Sequence, residues 1–600
     1  MLNPTEDRVG YGQELLPPEG FHLVRAVATT YSLDFQTLIA ALIPLGLGGE
    51  IDDKEMQNPI ALLQAIRKVT DKLVVFCEAG QIKAPGTPSR LITLLDDIVV
   101  QVALSKQGKC YPSFHPKTWT IEYANDTGER RWRFIVLSRN LSKDHSWDVS
   151  VSLEGEKKTG SYGATKEVVA FLEFLRGRVY KGAGSERQKK VVEKTIASLS
   201  GVSFFCEDPF DGYDIFPMGV GGKNPDVFKQ DELFDDRVVI SPFLSTGLVR
   251  KLNGPAKEIG TKRRVLISRM EALAKLEPSA ADRFEKYVLR QVSDDDGERH
   301  DLHAKVYLRR RGSQTELWLG SANATDSGMN RNVEMMVALY CANRYLNAEK
   351  LLADLCGGDP GGKASPLEEV AEVGNEQVEV SEVEKARQEA ENKIKEFCRM
   401  KVAARATGES GRYRLSLEVP AVEALEGVFI WPINAPGNKL ELREQACVFP
   451  QTIELADLSS LYVVAVPYLG GEIRRVVKLT TKGIPEERGT AVLNELVKDR
   501  PSLLRYLAML LSPNPAMVLQ QLDTVEKQLQ TGVESQRAVS VPPGLYEEML
   551  LAASEEPDRI REAGLVLSRL KGDDSLLVEY KNLYRRFAEA LKLPLEVDRD

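Results

Sequence analysis

Residues 115–140 read HPKTWTIEYANDTGERRWRFIVLSRN, and residues 303–323 read HAKVYLRRRGSQTELWLGSAN. Each stretch opens on His-x-Lys and closes on Asn. The first runs from His115-Pro-Lys117 to Ser138-Arg-Asn140, the second from His303-Ala-Lys305 to Gly320-Ser321-Ala-Asn323, and the His-to-Asn spacings are 25 and 20 residues. Between these ends, β-branched and aromatic runs flank polar turns, NDTGE and RRRGSQ, each with a glycine. Both stretches are therefore predicted hairpins. Residues two apart on a strand share a face, so each His and Lys are predicted to project together. The returning strand brings Ser and Asn beside them. One such set is half a site, and two sets facing each other form a symmetric phosphate clamp.

The chain holds only five histidines, His22, His115, His145, His300 and His303, so two of them in one doubled pattern is a signal. An imidazole attacks phosphorus and forms a phosphohistidine. A second imidazole protonates the leaving oxygen and then activates water. Lys117, Lys305, Asn140 and Asn323 are placed to neutralise and hydrogen-bond the nonbridging oxygens, and no metal or other cofactor is then required. Each imidazole needs a carboxylate on its far nitrogen to fix the tautomer. Asp148 follows the first Asn and Glu334 the second, and these two are the candidates. Ser138 and Ser321 are supporting residues. Arg139 is a candidate phosphate contact or an outward solvated residue. Trp119 and Tyr123 alternate along the strand that leaves the first motif, and they either stack on bases or pack between strands.

These residues resemble the phospholipase D superfamily, whose hallmark is two HxK…GSxN motifs. The resemblance covers about residues 20–345. Ile240-Ser-Pro-Phe243 resembles the strand opening the second lobe, and Asn332-Val-Glu334 resembles the acidic ending of the second motif. The family's Asp, five residues after the Lys, is Glu122 in one motif and Arg310 in the other, and Leu137 replaces the Gly before the first Ser. Those departures, with the long hairpins, look like the tyrosyl-DNA phosphodiesterase branch and bacterial nuclease-like members more than the lipid enzymes. The resemblance implies a two-lobed α/β fold of mixed sheets flanked by helices. It also implies His115 as nucleophile and His303 as general acid.

Outward from the motifs, the pattern stays α/β. Residues 21–30, 72–77, 237–243 and 263–268 read as buried strands, and 56–69, 166–180 and 187–199 as helices. Residues 357–384 are rich in Gly, Pro and Glu and read as an acidic linker. Tyr413, Leu415, Leu417 and Val419 alternate with polar residues, and strand-like runs follow at 427–433, 462–469 and 474–479. From about 486 onward the pattern is helical. The expected division is a first lobe at 1–225, a second lobe at 226–350, an acidic linker at 351–392, a β-rich module at 393–485 and a helical region at 486–600.

Composition bounds the function. The 600 residues exceed one core. Net charge is −9, yet residues 1–350 hold 48 basic and 47 acidic side chains, and 351–600 hold 31 and 41. Residues 101–200 carry 18 basic against 11 acidic, a local excess suited to phosphates. The longest apolar run, Leu38 to Leu47, is half a membrane span. The seven cysteines form no CxxC pair. Gly219-Val-Gly-Gly-Lys223 lacks the spacing of a phosphate-binding loop, and His300 beside the acidic run 294–298 reads as a solvated turn. The expectation is a cytoplasmic nuclease acting on nucleic acid, DNA first, with a protein partner recruited through the C-terminal half and no membrane. Such architectures resemble bacterial anti-phage or restriction components. A lipid phosphodiesterase and a non-catalytic assembly subunit are the alternatives.

Overall fold

The computed structural model describes residues 11–48, 58–107, 111–143, 146–158, 165–179, 184–221, 224–228, 234–253, 263–290, 301–356, 365–370, 381–409, 411–497, 500–512, 545–569 and 575–593. His145, His300, the acidic run 294–298 and most of the 357–384 stretch lie outside the described residues.

Two large mixed sheets form the front of the chain. In the first, Phe21–Thr30 is central. Leu73–Glu78 and then Val99–Val102 lie parallel on one side. Thr118–Asn125, Arg130–Leu137, Ser150–Lys157 and Val202–Phe205 follow antiparallel on the other. The second sheet repeats the scheme around Asp236–Ile240. Arg263–Ser268 and Glu285–Leu289 lie parallel on one side, and Val306–Arg311, Gln314–Gly320, Glu334–Ala342 and Gly212–Met218 antiparallel on the other. This is the two-lobed arrangement of mixed sheets flanked by helices that the resemblance implies.

Both expected hairpins form, and a left-handed glycine turns each, Gly128 at φ 85° and Gly312 at φ 58°. The HxK residues themselves differ from expectation. They lie in extended segments just ahead of the strands, which begin at Thr118 and Val306. Pro116 has no N–H for a ladder. Backbone donors at His115, His303 and Ala304 bond instead to Val333 O and Trp147 O at 2.8–3.0 Å.

Period-two burial divides each strand between two cores. Trp132, Phe134 and Val136 face a core shared with Val238, Ile240, Leu317, Leu319 and Val337 of the second lobe. Trp119, Ile121, Tyr123 and Ile135 face the opposite way, against Phe35–Leu47 and Pro59–Thr70. Those helices start where the chain supplies caps. Asp34 accepts from Thr37 N at 3.0 Å, and Asn58 accepts from Ile60 N at 3.0 Å with Pro59 at the first turn.

The lobe boundary differs from the expected one. Gly212–Met218 pairs with Glu334–Ala342 of the second sheet, although it precedes residue 226. Leu367–Glu369, inside the expected linker, is an edge strand of that sheet with Leu367 buried. Ala348–Cys356 and Glu382–Phe397 are helices. Leu367-Glu368-Glu369 carries a single buried apolar side chain, a signal that composition averaged over a window does not show.

The C-terminal half packs onto the first lobe. One small sheet joins Ala403–Glu409, Arg412–Glu418, Ala446–Val448 and Thr480–Lys482. Another joins Phe429–Pro432, Leu461–Tyr468 and Gly471–Lys478, and Ile82–Lys83 of the first lobe completes its edge. The helices Arg500–Leu511, Leu545–Glu555, Pro557–Arg569 and Ser575–Leu591 share the core of Pro59–Thr70. Among the described residues, no helix is long and apolar enough to cross a membrane.

Candidate active site

The two HxK segments meet between the lobes, and their carboxylates are exchanged. His115 Nδ1 lies 2.8 Å from Glu334 Oε2, and His303 Nδ1 lies 2.8 Å from Asp148 Oδ1. Both acids are the candidates named from the sequence, and each lies against the histidine of the opposite motif. The reason is topological. Asp148 precedes the strand that follows the first hairpin, where Trp147 bridges to Leu302 of the other lobe. Glu334 opens the strand after the second motif, beside Val333, which bridges to Phe114. Each carboxylate therefore reaches across the interface.

The motif serines hold these acids. Ser138 Oγ donates to Asp148 Oδ1 at 2.6 Å and accepts from Val149 N at 2.9 Å. Ser321 Oγ donates to Glu334 Oε2 at 2.6 Å and accepts from Met335 N at 2.9 Å. Each serine thus positions the acid that orients the opposite histidine. With the acids ionised, Nδ1–H is the donor and Nε2 keeps its lone pair.

Both lysines are buried, and each bonds its own motif. Lys117 Nζ donates to His115 O at 2.8 Å, and Lys305 Nζ donates to His303 O at 2.5 Å. The two half-sites also sense each other electrostatically. Burial is the main cause that lowers Lys117 well below the ordinary lysine range, and Lys305 adds to it. His115 is pushed down to about 4 by burial, against the pull of Glu334 and with Lys117 and Lys305 reinforcing it. His303 is lowered by burial and then by Lys305, with Lys117 contributing. Burial would raise Asp148, but its bond to His303 holds it below the ordinary carboxylate range. At neutral pH the site thus holds neutral imidazoles and ionised Asp148.

Asn140 is buried and accepts from Ser32 N at 3.4 Å through Oδ1. Asn323 Oδ1 is buried without a hydrogen-bond partner among the described residues. Arg139 is half-buried between Ser138 and Asn140. Trp119 and Tyr123 are corrected as base-stacking candidates. Both are 0% exposed in the first lobe's outer core, and the Tyr123 hydroxyl donates to Leu15 O at 3.2 Å.

Tyr31, Asn332 and Glu78 adjoin the site without being site candidates in the sequence, and Arg331 lines a cleft that Val333 also borders. The Tyr31 ring is 4.9 Å from the His115 ring, and Lys117 Nζ lies 5.7 Å from its centroid. Asn332 Nδ2 donates to Glu334 Oε1 at 3.1 Å, and its Oδ1 accepts from Ser113 N at 3.1 Å. Glu78 Oε2 accepts from Phe114 N at 2.8 Å, one residue before His115. Burial pushes Glu78 up to about 7, opposed by that bond and by Arg399 and Lys395 of the C-terminal half. Arg331, beside Asn332, lines an open cleft of about 580 Å³ with Pro112, Arg178, Asn224 and Val333. Only Asn332 carried a sequence signal, its place in the Asn-x-Glu ending.

No protein-family model matches the chain, and no curated protein matches it. Among solved structures, the chain is similar to polyphosphate kinase from Porphyromonas gingivalis at 12% identity and a TM-score of 0.31, over 55% of this chain and 41% of that one, less than half its length. It is also similar to NucT from Helicobacter pylori at 14% identity and a TM-score of 0.17, over 21% of this chain and 84% of that one.

Proposed function

We propose that the chain is a metal-independent phosphodiesterase of the phospholipase D superfamily, a nuclease that cleaves DNA or RNA through a phosphohistidine. The observation that carries this reading is the pair of exchanged units, His115–Glu334 and His303–Asp148, set around two buried lysines. Two oriented imidazoles suit a two-step displacement better than a single base suits direct hydrolysis.

In the first step His115 Nε2 attacks phosphorus, the P–N bond forms and the P–O bond to the leaving nucleoside breaks. His303, protonated when the anionic substrate enters, gives its proton to that oxygen. In the second step His303 takes a proton from water, the hydroxide attacks phosphorus and the P–N bond breaks, returning His115. Lys117, Lys305 and the Asn140 and Asn323 amides offset the charge on the nonbridging oxygens. Glu334 and Asp148 hold the tautomers and stabilise the imidazolium forms. The reading extends to a cytoplasmic role in anti-phage defence, with a protein partner at the C-terminal half.

The test is digestion of end-labelled DNA and RNA by the full chain with EDTA present, followed by acid-labile, base-stable trapping of label on protein. Cleavage in EDTA, with label lost in His115→Ala, is the expected result. Cleavage abolished by EDTA, or no cleavage of any nucleic acid, overturns the reading.

A further inference from the structure

We propose that Phe243, backed by Arg269, is a stacking platform for the nucleobase on the His303 side of the scissile phosphate. The inference rests on the nuclease reading and names a base-binding subsite for it.

Sheet register places the ring. Ile240 pairs with Val306 in antiparallel strands. Phe243 lies three residues past Ile240 and His303 three before Val306, so both leave the same end of the sheet. That end also carries the carboxyl end of the parallel neighbour, Arg263–Ser268, followed by Arg269 and Met270. Crevices outside the carboxyl ends of parallel strands are where α/β sheets bind ligands.

The ring is exposed and its backbone is fixed. Phe243 is 49% exposed and Met270 is 51% exposed, although Val239, Ile240, Ile267 and Ser268 at the strand ends before them are buried. Ser241 Oγ donates to Phe243 O at 2.8 Å and accepts from Ala324 N at 2.9 Å, which ties the segment to the residue after Asn323. The Arg269 guanidinium carbon lies 5.0 Å from the Phe243 centroid. Arg269 is itself anchored, with Nε donating to Leu302 O at 2.8 Å and Nη2 3.0 Å from Asp301 Oδ2. Leu302 immediately precedes His303. A single exposed aromatic is ordinary on a protein surface. This one is capped by an arginine that bonds the peptide adjoining an active-site histidine. A cation on one face leaves the other for a planar, sequence-neutral partner, and every nucleobase has such a face. The buried rings Trp119 and Tyr123 cannot serve this purpose.

The test compares KM for single-stranded oligothymidylate and for a base-free deoxyribose-phosphate strand of equal length, using the full chain. The wild type should prefer the intact strand by about tenfold or more, the scale of one base stacked on an aromatic ring. Phe243→Ala should raise KM for the intact strand about tenfold and narrow the preference by the same factor, whereas Phe243→Trp keeps it. As a check independent of turnover, the indole introduced by Phe243→Trp in a His115→Ala background should be quenched by oligothymidylate and not by the base-free strand. An unchanged preference in Phe243→Ala, or equal quenching by both strands, overturns the platform while the nuclease reading stands. If the wild type cuts no nucleic acid, RNA and duplex DNA included, the nuclease reading fails and the platform fails with it.

Discussion

Asp148 and Glu334 each serve the histidine of the opposite motif, so their roles separate by step. Asp148→Asn removes the charge that stabilises the His303 imidazolium and lets an amide N–H donate to Nδ1, which favours the wrong tautomer. Turnover should fall by about 10²–10⁴, the range of general acid–base catalysis, in steady-state nuclease kinetics. Glu334→Gln acts on the nucleophile, so trapped phosphohistidine should fall with it. His115 offers a direct measurement. Burial pushes its imidazole down to about 4 from an ordinary 6.5, so it should titrate near pH 4 in histidine side-chain NMR, assigned by loss of the signal in His115→Gln. Between those two values the unfolded chain binds a proton that the folded chain refuses. The stability associated with neutral His115 is intact above pH 6.5 and is lost as pH falls toward 4. The HxK residues were legible because histidine is rare and the pattern is doubled. Tyr31 and Glu78 were not, because neither sits in a motif and each reaches the site only by strand pairing.

Elements decide which residues the strands hide. Thr118–Asn125 puts Trp119 against the helices Phe35–Leu47 and Pro59–Thr70, so its ring is core. Trp119→Ala should cost about 3–5 kcal/mol in denaturant unfolding, the range for deleting a buried aromatic ring. Substrate KM should stay within about twofold for the fraction that folds. The same logic explains the unequal motifs. Gly320 sits at φ 151°, and a Cβ there would meet the Met335 carbonyl oxygen. Leu137 holds the corresponding place in the first motif, where its side chain is buried in the first lobe's core. The hairpins were readable because period-two alternation and turn glycines are local. The edge strand Leu367–Glu369 was not, since its partner lies about eighty residues away and three residues carry no period.

At the scale of the whole molecule, the C-terminal half is bound to the first lobe through Asp96. Arg488 Nη1 and Nη2 lie 2.6 and 2.9 Å from its two oxygens, and Ser460 N donates to it at 3.1 Å. Lys478 bonds the Asp96 and Val99 carbonyls. Burial would raise the Asp96 carboxyl, but Arg488 holds it below its ordinary 3.8. This stability is present above that value and is lost as pH falls through the still lower folded value. Asp96→Ala leaves the buried Arg488 with only its longer contact to Asp97, 3.6 Å from Nη2, so it should destabilise the chain by about 3 kcal/mol in equilibrium unfolding. Replacing Asp96 and Arg488 together by apolar residues should recover much of that loss. Because the acids cross between lobes, neither lobe alone contains a complete histidine–carboxylate pair.

The sequence by itself determined the residue types of the site, the two hairpins that deliver them and the α/β class. Those properties are encoded in spacings shorter than a single supersecondary unit. The tertiary structure alone decided which acid serves which histidine, which aromatic rings are exposed and how the C-terminal half reaches Glu78. Each of these depends on the register and packing of strands far apart in the chain. Burial, which sets the protonation of the site, exists only once the two sheets close on one another.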